Sequence, residues 1–387
     1  MTSPRMTELT LQNENPVTTV EATPLAGYLT ASGSSPATDL ASYLGVLTPR
    51  QLDASEAETD ALLSGAGLHD LGWLRRIAVR GEDRLRWLSG MVTNAVETLP
   101  DGRGAYNLVL NAQGRIQGDC YVLRDGDALE LEVTAGQAEA LMTHLDRFII
   151  MDDVELAPIS GQTALGLTGS EAESMLQKLG LAVPTEELSS TSGTLGEIPV
   201  RLIRGYGTLT PHFELWAEQE QVPALWQALL GAGATAVGAT SLETLRIAEG
   251  IPAYGVDIQS RDLAQETAQD RALNFTKGCY LGQEIVERIR SRGQVHRHLR
   301  SLELTSEELT ADNAVDLPIV GTELRVSGSA PEAKPAGALT SVAAVQLQGV
   351  RRIFAIAMIR AEAEIGNRPL EYAGGMAHIL HTPPKLT

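Results

Sequence analysis

The chain has 387 residues, of which 43% are hydrophobic and 20% charged, an ordinary composition for a soluble globular protein. A chain of this length is too long to fold around one ordinary hydrophobic core, so two or three domains are expected. The formal net charge of −19 argues against binding nucleic acid over a broad surface, because such binding needs Lys and Arg to displace counterions from phosphates. A net charge of this size is still compatible with a local basic patch.

The two cysteines, Cys120 and Cys279, are too few and too far apart for a disulfide framework or a four-thiolate metal site. The N-terminal residues 1–28 contain no apolar core of a signal peptide. No run approaches the ~18 uncharged apolar residues that would span a bilayer. These features predict a cytoplasmic protein without membrane contact and without a metal site.

Residues 1–54 are expected to form an N-terminal extension. The composition is rich in Ser, Thr, Pro and Gly, and we expect roughly the first 20–35 residues to be loosely held. A helix is predicted to begin near Ser55, because Ala57, Ala61 and Leu62 form one apolar stripe.

An internal repeat organises the middle of the chain. Ile77–Leu88 is predicted to form a strand, a turn at Gly81 and a helix, and Leu165–Leu176 repeats this pattern around Gly169. Each is followed by a second strand–helix pair, in residues 129–145 and 213–230. The alternative is coincidence, since βα units are common, but both glycines and both spacings agree. The pattern therefore predicts two related α+β subdomains packed about a pseudo-twofold axis.

After residue 295 the pattern changes to short apolar or alternating runs separated by Gly, Pro and Asp, which predicts a small closing β domain. The predicted division has four parts: the extension (1–54), a first subdomain (55–160 with 240–294), a second subdomain (161–239) and a C-terminal β-barrel (295–387).

The stretch Phe275–Glu284 is the most informative motif. Lys277-Gly278-Cys279 reads as a tight glycine loop, and a helix is predicted from Tyr280 to Arg290. A cysteine at a helix N-terminus beside a lysine favours the thiolate, which could bind a soft metal or attack an electrophile. The alternative is a small buried hydrophobic residue, as most free cysteines are.

This stretch resembles the signature of the YgfZ family, Lys-Gly-Cys-aromatic-x-Gly-Gln-Glu, which residues 277–284 match position by position. The similarity extends to residues 68–115, including Gly81 and Gly102, and to residues 245–255. Overall it can be followed from about residue 55 to about residue 385. YgfZ proteins are related to the aminomethyltransferase of glycine cleavage.

The resemblance implies an aminomethyltransferase-like α+β fold, with subdomains in a ring around a hole that receives tetrahydrofolate, the first subdomain being folate-binding. It also implies a role in assembling or repairing iron–sulfur enzymes, including those that thiolate tRNA, with assembly proteins or client enzymes as partners. Cys279 and Lys277 are then the candidate reactive residues. The candidate folate-binding residues are Tyr106, Asn111, Asp119, Glu249, Tyr254, Gln283 and Arg292.

A tetrahydrofolate-dependent aminomethyltransferase is the rival hypothesis, and such chemistry needs a carboxylate near the reacting nitrogens. Where these transferases carry Asp-Asp, this chain has Gly118-Asp119. Where they carry a pterin-holding Glu, it has Ala248, with Glu249 displaced by one residue. Where the transferases carry a basic residue, this chain has Gln283. These departures favour an assembly helper, and a scaffold that binds no folate is a further alternative.

The segment from Arg288 to Arg300 holds five arginines and two histidines and no acid, in a strongly acidic chain. Such a cluster creates a local positive field that could receive the glutamate tail of folate, an RNA phosphate or an acidic partner. The alternative is a solvated helix end, where cations are favourable. Direct nucleic-acid binding is not favoured.

Overall fold

The computed structural model describes residues 20–33, 39–293, 295–306, 317–330, 332–347, 350–366 and 368–386. Within these ranges, no helix combines the length and apolar character needed to cross a bilayer. The first elements along the chain are α1 (Pro24–Ala31), β1 (Leu40–Tyr43), β2 (Val46–Pro49), α2 (Ser55–Leu63) and β3 (Gly67–Asp70).

The described part of the N-terminal extension packs more tightly than the sequence predicts, although residues 1–19 lie outside the described residues. Thr23 caps α1 by accepting the Ala26 N–H at 3.1 Å, and Leu25 and Leu29 are buried in a hydrophobic core. Two leucines four residues apart form one helical face, which is enough to anchor a short helix to a sheet. The prediction of a loosely held segment is therefore wrong for Pro24–Ala31.

The first antiparallel sheet has the order β5-β6-β7-β4-β8 and is covered by the amphipathic helices α3 and α4. Alternating apolar side chains on its strands meet Trp87, Leu88, Leu141 and Leu145 of the two helices. Its elements are β4 (Leu74–Arg80), α3 (Arg84–Met91), β5 (Gly104–Leu110), β6 (Ile116–Asp125), β7 (Ala128–Thr134), α4 (Ala135–Asp146) and β8 (Glu155–Ile159).

The second sheet has the order β10-β11-β12-β9-β3-β13. It therefore includes β3, which precedes all strands of the first sheet in the sequence. Helices α1, α5 and α6 cover it. Its further elements are β9 (Gln162–Thr168), α5 (Ala172–Lys178), β10 (Ser190–Leu195), β11 (Ile198–Arg204), β12 (His212–Glu218), α6 (Val222–Gly231) and β13 (Thr235–Val237).

The predicted repeat is present in both sheets: β4 turns at a glycine into α3, and β9 turns at a glycine into α5. Gly81 has φ 101° and Gly169 has φ 131°, in the left-handed region that favours glycine. A Cβ on Gly81 would lie 2.0 Å from the Asp153 carbonyl oxygen, and one on Gly169 would lie 2.3 Å from that of Gly65. Each turn therefore needs glycine both for its backbone angle and for the close approach of another strand or loop.

The two sheets contact each other through a mixed apolar and charged interface. Trp73 and Trp216 pack together in its apolar part, and the Arg76 guanidinium carbon lies 3.7 Å from the centre of the Trp216 ring. Arg76 also pairs with Glu132 across 3.6 Å, and both side chains are nearly inaccessible. Helix α7 (Ala239–Glu249) crosses beside this interface, and a cavity opens between the sheets and the helix.

The remaining chain confirms the predicted closing barrel and the helix that follows the Lys-Gly-Cys loop. Helix α8 spans Gln283–Arg292, and the strands that follow form a closed barrel in the order β14-β17-β16-β15-β18-β19. The barrel elements are β14 (Arg297–Ser306), β15 (Glu323–Val326), β16 (Gly337–Leu347), β17 (Val350–Arg360), α9 (Ala361–Glu364), β18 (Leu370–Tyr372) and β19 (Gly375–Leu380).

Candidate functional site in the central cavity

The cavity between the two sheets gathers aromatic and ionisable side chains from distant parts of the sequence. One wall comes from β5, β6 and α4, the facing wall from β3, β9 and β12, and α7 with the segment after it closes one end. Apolar walls with a few fixed polar groups are typical of sites for planar organic ligands. Of the predicted folate-binding residues, four line this cavity: Tyr106, Asp119, Glu249 and Tyr254.

Asp119 is the best-organised polar group on the first wall. Its Oδ2 accepts a hydrogen bond from the Tyr106 hydroxyl at 2.7 Å, and its Oδ1 accepts one from Gln137 Nε2 at 2.7 Å. Burial raises the pKa of Asp119 and, more strongly, that of Tyr106, while the two hydrogen bonds oppose the rise for the carboxyl. The result is a fixed carboxyl group that faces the cavity.

The neighbouring Gly118 does not itself line the cavity, and a side chain at this position would point at α4. A Cβ at this position would lie 2.8 Å from Gln137 Oε1 and 2.9 Å from a methyl carbon of Leu141. Successive residues on a strand point to opposite faces, so a carboxylate at position 118 would not have entered the cavity from this backbone. The departure at Gly118 therefore removes no group from the cavity wall.

Arg271, which the sequence did not indicate, forms a flat platform in the cavity. Its guanidinium carbon lies 3.5 Å from the ring centre of Tyr206 and 4.1 Å from that of Tyr106, so the group is held between two aromatic rings. Its Nη2 also donates to the Tyr121 hydroxyl at 3.3 Å. Nη1 is buried without a hydrogen-bond acceptor among the described residues, and it pairs only at a distance with Glu187, whose Oε1 lies 3.9 Å away. A planar ligand with a carbonyl or ring nitrogen could satisfy that donor.

Glu249 reaches the cavity but is already engaged by the backbone. Its Oε1 accepts the N–H groups of Thr208 and Leu209, both at 2.9 Å. Burial raises the pKa of this carboxyl to about 7. Ala248, in contrast, is buried in a hydrophobic cluster that includes barrel residues such as Ala343 and Phe354. The Glu249 side chain therefore ties α7 to the loop after β11 and leaves a carboxyl edge on the cavity wall.

The other predicted site residues do not line the cavity. Asn111 organises the turn between β5 and β6, because its Oδ1 accepts the N–H groups of Gln113 and Arg115, each at 3.0 Å. Gln283 stands at the start of α8, where its Oε1 accepts the Tyr280 N–H at 3.3 Å. Arg292 is exposed at the end of the same helix.

The Lys-Gly-Cys loop lies outside the cavity and is anchored by its lysine. Lys277 Nζ donates to the carbonyl oxygens of Ser89 and Val92 at 2.6 Å and of Asn94 at 3.0 Å. An ammonium group has three N–H donors, so these bonds use all of them. Burial lowers the pKa of Lys277 to about 8. Cys279 is exposed in this loop and does not line the cavity.

Two related α+β subdomains, a closed barrel and a cavity between the sheets define a protein of the aminomethyltransferase fold. Over 93% of the chain, the structure superposes with a TM-score of 0.78 on 96% of the glycine cleavage system aminomethyltransferase T from Bartonella henselae, at 20% sequence identity. This likeness concerns the fold.

The family described as GCVT N-terminal domain matches residues 37–277, and the chain belongs to this family. An aminomethyltransferase from Rubrobacter xylanophilus is 30% identical over 260 residues, which cover 66% of this chain and 69% of that protein. An aminomethyltransferase from Cutibacterium acnes is 29% identical over 288 residues, which cover 70% and 76% of the two chains.

Proposed function

We propose that this protein binds tetrahydrofolate in the central cavity and that Asp119 is the carboxyl group next to the reacting part of the folate. The observation that carries the proposal is the position of Asp119, fixed by Tyr106 and Gln137 on a cavity wall beside the Arg271 platform. Membership of the GCVT family and the aminomethyltransferase relatives support tetrahydrofolate as the cofactor.

Aminomethyl transfer to tetrahydrofolate is the activity that these relatives favour. In such a reaction positive charge develops on the folate nitrogens, and a fixed carboxylate in a low-dielectric site stabilises it. Asp119 would be this carboxylate. The loss of a second carboxyl at Gly118 does not weaken the proposal, because that position faces α4.

Calorimetry with tetrahydrofolate tests the binding, and release of ammonia from an aminomethylated carrier protein tests the transfer. Asp119→Asn keeps the size of the side chain and removes its charge, so we expect turnover to fall by about 10²–10³-fold, as when a fixed electrostatic group is removed from an active site. Asp127→Asn, on an exposed side chain, is the matched control. Absence of tetrahydrofolate binding by the unaltered protein would refute the proposal.

A second candidate function, support of iron–sulfur enzymes, is favoured by the Lys-Gly-Cys loop. The YgfZ-like signature contains an exposed thiol, Cys279, in a loop that the anchored Lys277 holds outside the cavity. A surface thiol in a fixed loop can meet a protein partner or a metal, whereas Cys120 is buried and burial raises its pKa.

Cys279→Ser distinguishes this candidate from folate-dependent transfer alone. Iodoacetamide should label Cys279 and spare Cys120 in the folded protein. If the thiol serves iron–sulfur enzymes, cells that carry only the Cys279→Ser variant should lose activity of those enzymes while tetrahydrofolate binding stays unchanged. Full iron–sulfur enzyme activity in these cells would remove the thiol from the function.

A further inference from the structure

Two histidines and a threonine form a hydrogen-bonded row on the second wall of the cavity, whereas Asp119 lies on the first. His69 Nε2 lies 3.0 Å from Thr168 Oγ1, and Thr168 Oγ1 lies 2.6 Å from His212 Nδ1. The two imidazole rings are stacked with centres 5.6 Å apart and planes 9° from parallel. The three residues come from neighbouring strands β3, β9 and β12, and all three line the cavity.

Two glycines provide the space that these rings occupy. A Cβ on Gly166 would lie 1.9 Å from His69 Cε1, and a Cβ on Gly205 would lie 2.3 Å from His212 Cδ2. Any other residue at either position would displace a ring. Glycine at these two positions therefore leaves room for both imidazole rings.

The hydrogen-bond partners determine where the protons lie. The Asp70 carbonyl oxygen, 3.4 Å from His69 Nδ1, can only accept, so Nδ1 carries the proton of the neutral His69 ring and Nε2 is an acceptor. Thr168 must then donate its hydroxyl proton to His69 and accept the Nδ1–H of His212. This leaves His212 Nε2 with a free lone pair.

Burial favours the neutral form of both rings. His69 is 1% exposed and Thr168 is 2% exposed, whereas His212 is half-buried at the cavity. Burial lowers the pKa of His69 to about 3 and also lowers the pKa of His212. Among the described residues, His212 Nε2 has no hydrogen-bond partner.

We infer that His212 Nε2 accepts a hydrogen bond from an N–H group of the ligand ring, with His69 and Thr168 acting as positioning residues that fix its tautomer. The inference rests on the proposed binding of tetrahydrofolate and assigns its reduced pterin ring, which carries amine and ring N–H donors, a contact on the second wall. The pterin is then held from both sides: a carboxyl on the first wall and a neutral imidazole on the second.

Nitrogen NMR of ¹⁵N-histidine-labelled protein tests the tautomer and the contact together. The seven histidines give few signals, and His212 is assigned by loss of its signals in His212→Gln. Without ligand, Nδ1 of His212 should be protonated and Nε2 unprotonated. On addition of tetrahydrofolate, the Nε2 resonance should move as it accepts a proton donor. A protonated Nε2, or a resonance that bound tetrahydrofolate leaves in place, would overturn the inference.

Variants of Thr168 provide a second measurement. Thr168→Val keeps the shape and removes the hydroxyl, so the His212 tautomers should mix and tetrahydrofolate should bind about tenfold more weakly, the effect of one lost buried hydrogen bond. Thr168→Ser restores the hydroxyl and should restore both the single His212 tautomer and the affinity for tetrahydrofolate. Equal affinity of the Val and Ser variants would count against the inference.

The inference and the proposed function fail in different ways. If the unaltered protein binds tetrahydrofolate without a change at His212, the inference is wrong and the proposed function stands. If the unaltered protein binds no tetrahydrofolate, both are wrong.

Discussion

Lys277 illustrates how a residue in the most informative motif acts through structure. Its ammonium group is surrounded by three carbonyl oxygens at and just after the end of α3, and it joins that helix end to the Lys-Gly-Cys loop. Carbonyl groups at a helix C-terminus lack partners within the helix, and a cation there also interacts favourably with the helix dipole. The lysine thereby fixes the loop that carries Cys279.

Lys277→Met should destabilise the protein, because it keeps the aliphatic stem and leaves the three carbonyl groups without their donor. We expect the free energy of unfolding to fall by about 2–4 kcal/mol, the range for losing charge-assisted hydrogen bonds at a part-buried site. Urea unfolding followed by tryptophan fluorescence measures this. Lys178→Met, on an exposed helix end, is the control and should change stability by less than about 0.5 kcal/mol. Equal stability of the two variants would show that the lysine acts in another way.

The strand–glycine–helix unit is the element on which both subdomains are built. In each copy the glycine allows a left-handed turn and admits a second backbone segment within contact distance. The strand orders β5-β6-β7-β4 and β10-β11-β12-β9 are then identical position by position. The repeated turn thus specifies the repeated sheet.

Gly169→Ala should be more damaging than the same change at another left-handed glycine. At Gly169 the added methyl collides with the Gly65 carbonyl oxygen, whereas Gly180, with φ 84°, has open space around it. The backbone angle alone costs about 1–2 kcal/mol. We expect that cost for Gly180→Ala and at least about 3 kcal/mol for Gly169→Ala, since the collision adds to it. Thermal unfolding of both variants checks the difference; equal losses would mean that the close approach is unimportant.

Local patterns were sufficient to predict several of the elements, and they were insufficient where a side chain's partner lies far away in sequence. The repeat, α2, α8 and the closing barrel follow from spacing and turn residues. The packing of Leu25 and Leu29 does not, because the sheet they cover begins more than thirty residues later.

The same limit applies to the candidate site. Asp119 and Tyr106 lie on adjacent strands, and the sequence brings them together as soon as the hairpin is recognised. Arg271 and His212 reach the cavity only through the packing of two sheets, so no local pattern marks them. For Gly118, the alternation of a strand shows that one of two neighbours must face away, but only the packing of α4 shows which one.

At the scale of the whole molecule, the cavity couples the two subdomains through one carboxyl group whose protonation changes near neutral pH. Glu249 on α7 holds the loop that follows β11, and Tyr206 of that loop stacks on Arg271 beside the first sheet. A change at this one carboxyl therefore bears on both walls of the cavity.

Glu249 should also make stability depend on pH. Burial raises its pKa in the folded protein to about 7, from an ordinary value near 4.5, so the folded state binds the proton more tightly than the unfolded state does. Its contribution to stability is complete below about pH 4.5 and is lost as the pH rises through about 7, a loss of about 3 kcal/mol. Glu249→Gln cannot ionise, yet its amide oxygen can still accept the N–H groups of Thr208 and Leu209. Urea unfolding at several pH values between 4.5 and 8 should therefore show the variant gaining stability relative to the unaltered protein as the pH rises. Parallel stability curves for the two proteins would contradict this, because they would mean that Glu249 keeps an ordinary pKa in the fold.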